Sequence, residues 1–253
     1  MSAIRQVLKD GSRRLALRAV RMGLPLPGRP LQALAEHVGL RDLIRRERID
    51  VVLDVGANTG QFAQGLRQAG FAGRILSFEP VRRDFEAASL RMRNDPLWTG
   101  LRMALGDVDG TAAINVVPSL TVMNSLLAPI TASRPLDIEQ VDIRRLDGLL
   151  LDLLPDLAAR RILLKMDTQG YDLRCFSGAE GCLGAVQALY SELSVLPIYA
   201  GAPHYLQSLA RYEAAGFALV DLSVVSRRGD AIQEMNCLMR RVRRDETERA
   251  RAA

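Results

Sequence analysis

The chain has 253 residues, of which 48% are hydrophobic and 25% charged, and its formal net charge is +5 at neutral pH. That fits a soluble globular protein with room for one α/β domain and a full core. No run reaches the ~18 consecutive apolar residues of a spanning helix. The start also lacks a signal peptide's unbroken apolar core and small-residue cleavage site, so the expected location is cytoplasmic.

Three cysteines, Cys175, Cys182 and Cys237, sit at spacings that match neither a zinc knuckle nor a redox pair. With only His37 and His204 beside them, no structural metal is expected. Positive charge is almost all arginine and clusters at the two ends, from Arg5 to Arg21 and from Arg240 to Arg251. A solvated helix face and a frayed tail explain it most simply. Contact with an acidic membrane or RNA surface is the alternative.

In chain order, Ile4, Leu8, Leu15, Ala19 and Met22 recur at helical spacing beside the arginines until Pro25, Pro27 and Pro30 break the pattern. A second helix is expected over Leu31 to Arg48, with Leu34, Val38, Leu43 and Ile44 on one side. Both helices read as appendages to the fold.

Next comes the most informative stretch, Val51 to Phe62, VVLDVGANTGQF. Val51, Val52 and Leu53 suit a buried parallel strand, and Gly56 and Gly60 allow a sharp turn and a close ligand approach. A dinucleotide fingerprint would read G-x-G-x-x-G, with backbone amides facing a pyrophosphate. Here Asp54 precedes Gly56, and Asn58 stands between the glycines. An acid in that place repels a phosphate and welcomes an ammonium. S-adenosylmethionine carries an ammonium and no phosphate, so Asp54 is expected to point at that ligand.

A helix follows over Phe62 to Gln68, then a strand over Arg74 to Phe78 that ends at Glu79, placed to accept hydrogen bonds from both ribose hydroxyls. After a helix over Arg83 to Arg93, a third strand is expected over Leu101 to Leu105, closed by Gly106 and Asp107. Asp107 would meet the adenine amino group. Thr111 to Val117 reads as a hairpin off that third strand, Val141 to Leu146 as a further strand and Leu149 to Leu154 as a short helix.

The second informative stretch is Arg161 to Gly170, RILLKMDTQG. Its apolar part predicts a strand beside the first one, across the switch point of a doubly wound sheet, facing the reactive end of the cofactor. Lys165, Asp167 and Gln169 alternate with their neighbours and are expected to look the same way, Lys165 and Gln169 as substrate contacts. Local capping or salt bridging by Asp167 and Asp172 is the plainer alternative. A strand over Val186 to Ser194 carries Glu192, and the loop to Pro203 holds Tyr199, a hydrogen-bonding group or wall for a substrate. His204 opens a helix that runs to Ala215; Phe217 to Val225 and Ile232 to Arg240 form a closing antiparallel pair.

The pieces LDVGANTGQF, SFEP, ALGD, the NSL at Asn124 to Leu126, LLKMDTQGYD and SELSVLPIY together resemble the FkbM-type methyltransferases. That family more often has Glu where Gln169 and Asp172 stand. The resemblance implies a doubly wound, mostly parallel seven-stranded α/β sheet with an antiparallel C-terminal strand, over residues 49–242. An N-terminal helical extension, 1–48, and a charged tail, 243–253, would flank it.

It implies transfer of a methyl group from S-adenosylmethionine to a hydroxyl of a sugar, a glycolipid or a polyketide-type metabolite. Asp54, Gly56, Asn58, Gly60, Glu79 and Asp107 are the expected cofactor residues. Asp167 is the first candidate for orienting or deprotonating the acceptor, with Glu192 and His204 as rivals. Such a protein has a small-molecule or glycolipid acceptor as partner, with peripheral membrane contact through the basic N-terminal helix as an option. The alternatives are an RNA or other N-methyltransferase and a non-catalytic protein that binds the adenosyl group. Against RNA stands the lack of an interleaved aromatic and basic surface. Against a nicotinamide dehydrogenase stand the missing third glycine and the acid before Gly56.

Overall fold

A computed structural model describes residues 28–118, 120–131 and 136–243. The basic helix expected near the start and nearly all of the charged tail lie outside the described residues. The described residues from Gly39 onward belong to one compact unit.

Every residue of β1 (Val51–Val55) is buried, as the continuous apolar run requires of a strand covered on both faces. It pairs in parallel with β2 (Arg74–Phe78) on one side and with β7 (Ile162–Met166) on the other. With β3 (Trp98–Leu101), β8 (Val186–Ser194), β9 (Phe217–Arg228) and β10 (Ala231–Arg241), the sheet order is β3-β2-β1-β7-β8-β10-β9. β10 runs antiparallel to both its neighbours. The switch point between β1 and β7 opens a crevice at the carboxyl ends of these strands.

Alternation along β1 sends Val51, Leu53 and Val55 into one hydrophobic cluster and Val52 into the other. The helices α2 (Gln61–Gln68), α3 (Arg82–Met92), α4 (Leu146–Leu153), α5 (Asp172–Ser177) and α6 (Tyr205–Ala214) complete the described domain after α1 (Gly28–Arg46). In α1 the expected apolar face divides. Leu34 and Val38 are exposed, whereas Leu40, Leu43 and Ile44 join Ile49, Val52 and Leu163 in the core. The end of this helix is therefore part of the fold. Burial of each such side chain is worth about 1.5–3 kcal/mol.

The expected third strand is two elements. β3 stays beside β2 from Ile75↔Trp98 to Phe78↔Leu101, where β2 runs out of partners. The chain then leaves the sheet, and β4 (Ala104–Leu105) pairs instead with Ile143 and Arg144 of β6 (Asp137–Arg144). The hairpin expected off the third strand does not form there. β5 (Gly110–Val116) pairs antiparallel with β6 in a separate three-stranded sheet. Its partner lies beyond a connection of some twenty residues, which local alternation does not reveal.

Candidate active site

The turn after β1 is held by three residues with left-handed backbone. Gly56, at φ 74, has no room for a side chain, because a Cβ there would lie 2.0 Å from the Asp167 carbonyl oxygen. Asn58, at φ 49, uses its Oδ1 to accept from the Thr59 amide (2.8 Å) and the Thr121 hydroxyl (3.1 Å). Gly60, at φ 80, opens α2 and lets it approach Ala88 of α3.

Asp54 takes a different place from the one its position suggested. Its carboxylate is fully buried, 2.9 Å from the Lys165 ammonium, and accepts from the Ser77 hydroxyl at 3.1 Å. Lys165, only 3% exposed, also donates to the Val55 (3.2 Å) and Gly56 (2.8 Å) carbonyls. Two hydrogen bonds and the ion pair thus hold the ammonium against the first strand and its turn, where Lys165 was expected to meet an acceptor. Burial pulls the ammonium's pKa down, but the charges of Asp54 and Asp167 outweigh this and hold it above the ordinary lysine value. Ser77 also accepts from the Trp98 indole at 2.9 Å, so the pair is anchored from the sheet edge.

The other two acids keep acceptor capacity. Glu79 accepts the Asn58 amide at 2.7 Å and the Val81 amide at 3.0 Å, one on each carboxylate oxygen, which leaves a lone pair on each. Burial pushes its pKa up to about 7 against those two amides. Asp107 places its Oδ1 in a buried position with no hydrogen-bond partner, while its other oxygen faces Arg174 at 3.8 Å. An orphaned buried acceptor calls for a donor. Both acids can therefore still accept from the donors of a bound ligand.

The carboxyl ends of β7 and β8 meet in a second polar cluster. The Gln169 side-chain amide donates to Glu192 at 2.8 Å and to Asp167 at 3.3 Å, and its oxygen accepts from the Tyr199 hydroxyl at 3.0 Å. Lys165 does not share this direction, because β7 ends at Met166 and Gln169 turns into left-handed backbone at φ 55. Burial, then the charge of Asp167, raises Asp172 to about 7. Burial, Asp167 and Glu234 together lift Glu192 well above the ordinary carboxylate range. An adjoining hollow is lined by Asp172, Glu192, Tyr199, Ser208 and Glu234 among others. His204 lies outside the hydrogen-bonded cluster; it caps α6, and its backbone amide donates to the Gln207 side chain.

A strap over residues 120–131 crosses these strand ends, and sequence reasoning gave it no role. Thr121 reaches Asn58, Tyr199 donates to the Met123 carbonyl at 3.0 Å, and Ser125 donates to the Gln169 carbonyl at 2.7 Å. Asn124 donates to Asp84 at 2.8 Å and accepts from the Val117 amide at 2.9 Å. The only signal was the Asn-Ser-Leu triplet itself. Among the described residues no group of three or more His, Cys, Asp or Glu is placed to hold a metal ion. No described helix is long and apolar enough to cross a membrane.

The sheet order and the switch-point crevice are those of a doubly wound, Rossmann-like α/β fold. Residues 54–219 match the methyltransferase FkbM domain, and the chain belongs to that family. Its cofactor is S-adenosylmethionine. No curated protein matches the chain in sequence.

Similar solved structures include a magnesium protoporphyrin IX methyltransferase from Synechocystis PCC 6803 with bound S-adenosylmethionine. It has 11% identity, 83% of this chain and 79% of that chain covered, and a TM-score of 0.46. An rRNA methylase from Streptococcus thermophilus has 10% identity, 83% and 95% coverage, and a TM-score of 0.45. The N-methyltransferase NodS from Bradyrhizobium japonicum WM9 has 9% identity, 84% and 97% coverage, and a TM-score of 0.45.

Proposed function

We propose that the protein transfers the methyl group to a hydroxyl oxygen of a sugar, a glycolipid or a polyketide-type metabolite. The observation that carries this reading is the Asp167, Gln169, Glu192 and Tyr199 cluster at the carboxyl ends of β7 and β8. Gly56 of the cofactor turn lies against the Asp167 backbone, so the cluster borders the cofactor site. When bound, S-adenosylmethionine supplies an electrophilic sulfonium methyl group.

This chain's residues then have separate tasks. Glu79 and Asp107 hold the ribose and adenine ends, and the Asp54–Lys165 pair fixes the turn between them. Asp167 accepts the hydrogen bond of the acceptor hydroxyl and takes up its proton as the oxygen is methylated. Carboxylates at the strand ends suit an acceptor that donates hydrogen bonds, as a hydroxyl does. A glycolipid acceptor brings the protein to a membrane surface, where the arginine-rich N-terminal segment would meet acidic headgroups.

The test is transfer of labelled methyl from S-adenosylmethionine to p-nitrophenyl glycosides, octyl glucoside and macrolide aglycones, with alkali-stable product as the mark of an ether. Asp167→Asn should lower turnover about 100-fold or more while S-adenosylhomocysteine still binds. No labelled methyl on any of these hydroxyl acceptors, or full activity of Asp167→Asn, would reject the reading.

A further inference from the structure

Gln169 stands where one side chain touches all three other members of the cluster. Both hydrogens of its amide are used, one on Glu192 from β8 and one on Asp167 at the end of β7, and its oxygen shares the single Tyr199 hydroxyl hydrogen with the Met123 carbonyl. Its own backbone is fixed as well, by left-handed φ and by Ser125 donating to its carbonyl. With both N–H bonds committed, the side chain has no donor left to offer a substrate.

We propose that Gln169 is a positioning residue: its amide ties Asp167 to Glu192 and Tyr199 and thereby aims Asp167 at the acceptor hydroxyl. The inference rests on the role given to Asp167 above. It replaces the expectation that Gln169 contacts substrate. An amide makes these bonds without needing a proton, so the arrangement holds across pH. A carboxyl at 169 accepts only, unless it is protonated. It would keep a bond to Glu192 through a shared proton and lose it as pH rises. The charged and titratable groups around the cluster are Lys165 from β7, Asp172 from α5, Glu192 from β8 and Glu234 from β10.

The experiment compares wild type with Gln169→Met, which keeps length and loses every polar bond, and Gln169→Glu, which keeps shape and loses the donors. Melting temperature is followed from pH 5 to 9, and methyl transfer is followed to the best p-nitrophenyl glycoside. For Gln169→Glu we expect melting close to wild type at pH 5, a deficit that grows with pH, and an alkaline fall in kcat that wild type lacks. For Gln169→Met we expect kcat to drop about 10- to 100-fold, with KM and S-adenosylhomocysteine affinity changed less than about threefold.

Superimposable melting curves for Gln169→Glu and wild type would overturn the proposal, and so would a Gln169→Met loss confined to KM. Full activity of Asp167→Asn would remove the reading beneath it. An inactive Asp167→Asn beside wild-type behaviour of both Gln169 variants would remove this inference alone.

Discussion

Replacing Lys165 by methionine removes one partner of a fully buried pair and leaves the shape nearly intact. At 2.9 Å the gross Coulomb attraction to Asp54 is about 6 kcal/mol at an effective dielectric of ~20. Taking both ions out of water offsets most of that, so the loss on mutation is set by what stays behind. An uncompensated carboxylate, fully buried with the Ser77 hydroxyl as its remaining partner, costs about 3–5 kcal/mol. The Val55 and Gly56 carbonyls lose their donor too, and the cofactor turn with them.

Urea unfolding of wild type, Lys165→Met, Asp54→Asn and the double variant at pH 5 and pH 8 measures this. The single Lys165 variant should lose about 3–5 kcal/mol at pH 8 and less at pH 5, where the stranded carboxylate neutralises by taking a proton. The double variant should be more stable than Lys165→Met by at least about 1 kcal/mol. A Lys165→Met loss below about 1 kcal/mol, or simple additivity of the two changes, would refute the reasoning.

Glu79→Ala and Asp107→Ala should each weaken S-adenosylhomocysteine binding by about 1–3 kcal/mol in calorimetric titration; unchanged affinity would exclude the residue from the site. Gly56→Ala forces a Cβ against the Asp167 carbonyl and a side chain into left-handed backbone, so both stability and S-adenosylhomocysteine affinity should fall. Neither falling would mean that the turn relaxes freely. Glu79 and Asp172 are both raised to about 7 from ordinary values of 4.5 and 3.8. The folded state then keeps protons that the unfolded chain has released, so stability should fall as pH climbs from about 4 to 7. Each group contributes about 1.4 kcal/mol per unit within its window, and the trend levels off above 7. Asp172→Asn should flatten part of this slope in urea unfolding at pH 5, 6 and 7; an unchanged slope would contradict it.

Much of this molecule is written locally. The apolar runs Val51 to Leu53 and Ile162 to Leu164, each ending in turn residues, specify buried parallel strands, and glycine at 56 and 60 marks the tight turn between β1 and α2. Glu79 and Asp167 then follow the ends of β2 and β7 on the same side of the sheet, because parallel strands all finish there. What sequence could not reveal is which partner each of those side chains takes. Asp54 and Lys165 are over a hundred residues apart, and only the pairing of β1 with β7 turns two candidate ligand contacts into an internal clamp. The departure of β4 from the main sheet, the strap over residues 120–131 and the Gln169 bridge likewise depend on chain segments that are distant in sequence and adjacent only once folded. Residue type and spacing determined most of the elements and the cofactor class, but not the break between β3 and β4. Tertiary packing decided the partners, because burial leaves each charge or amide to be satisfied by whatever the fold brings within hydrogen-bond reach.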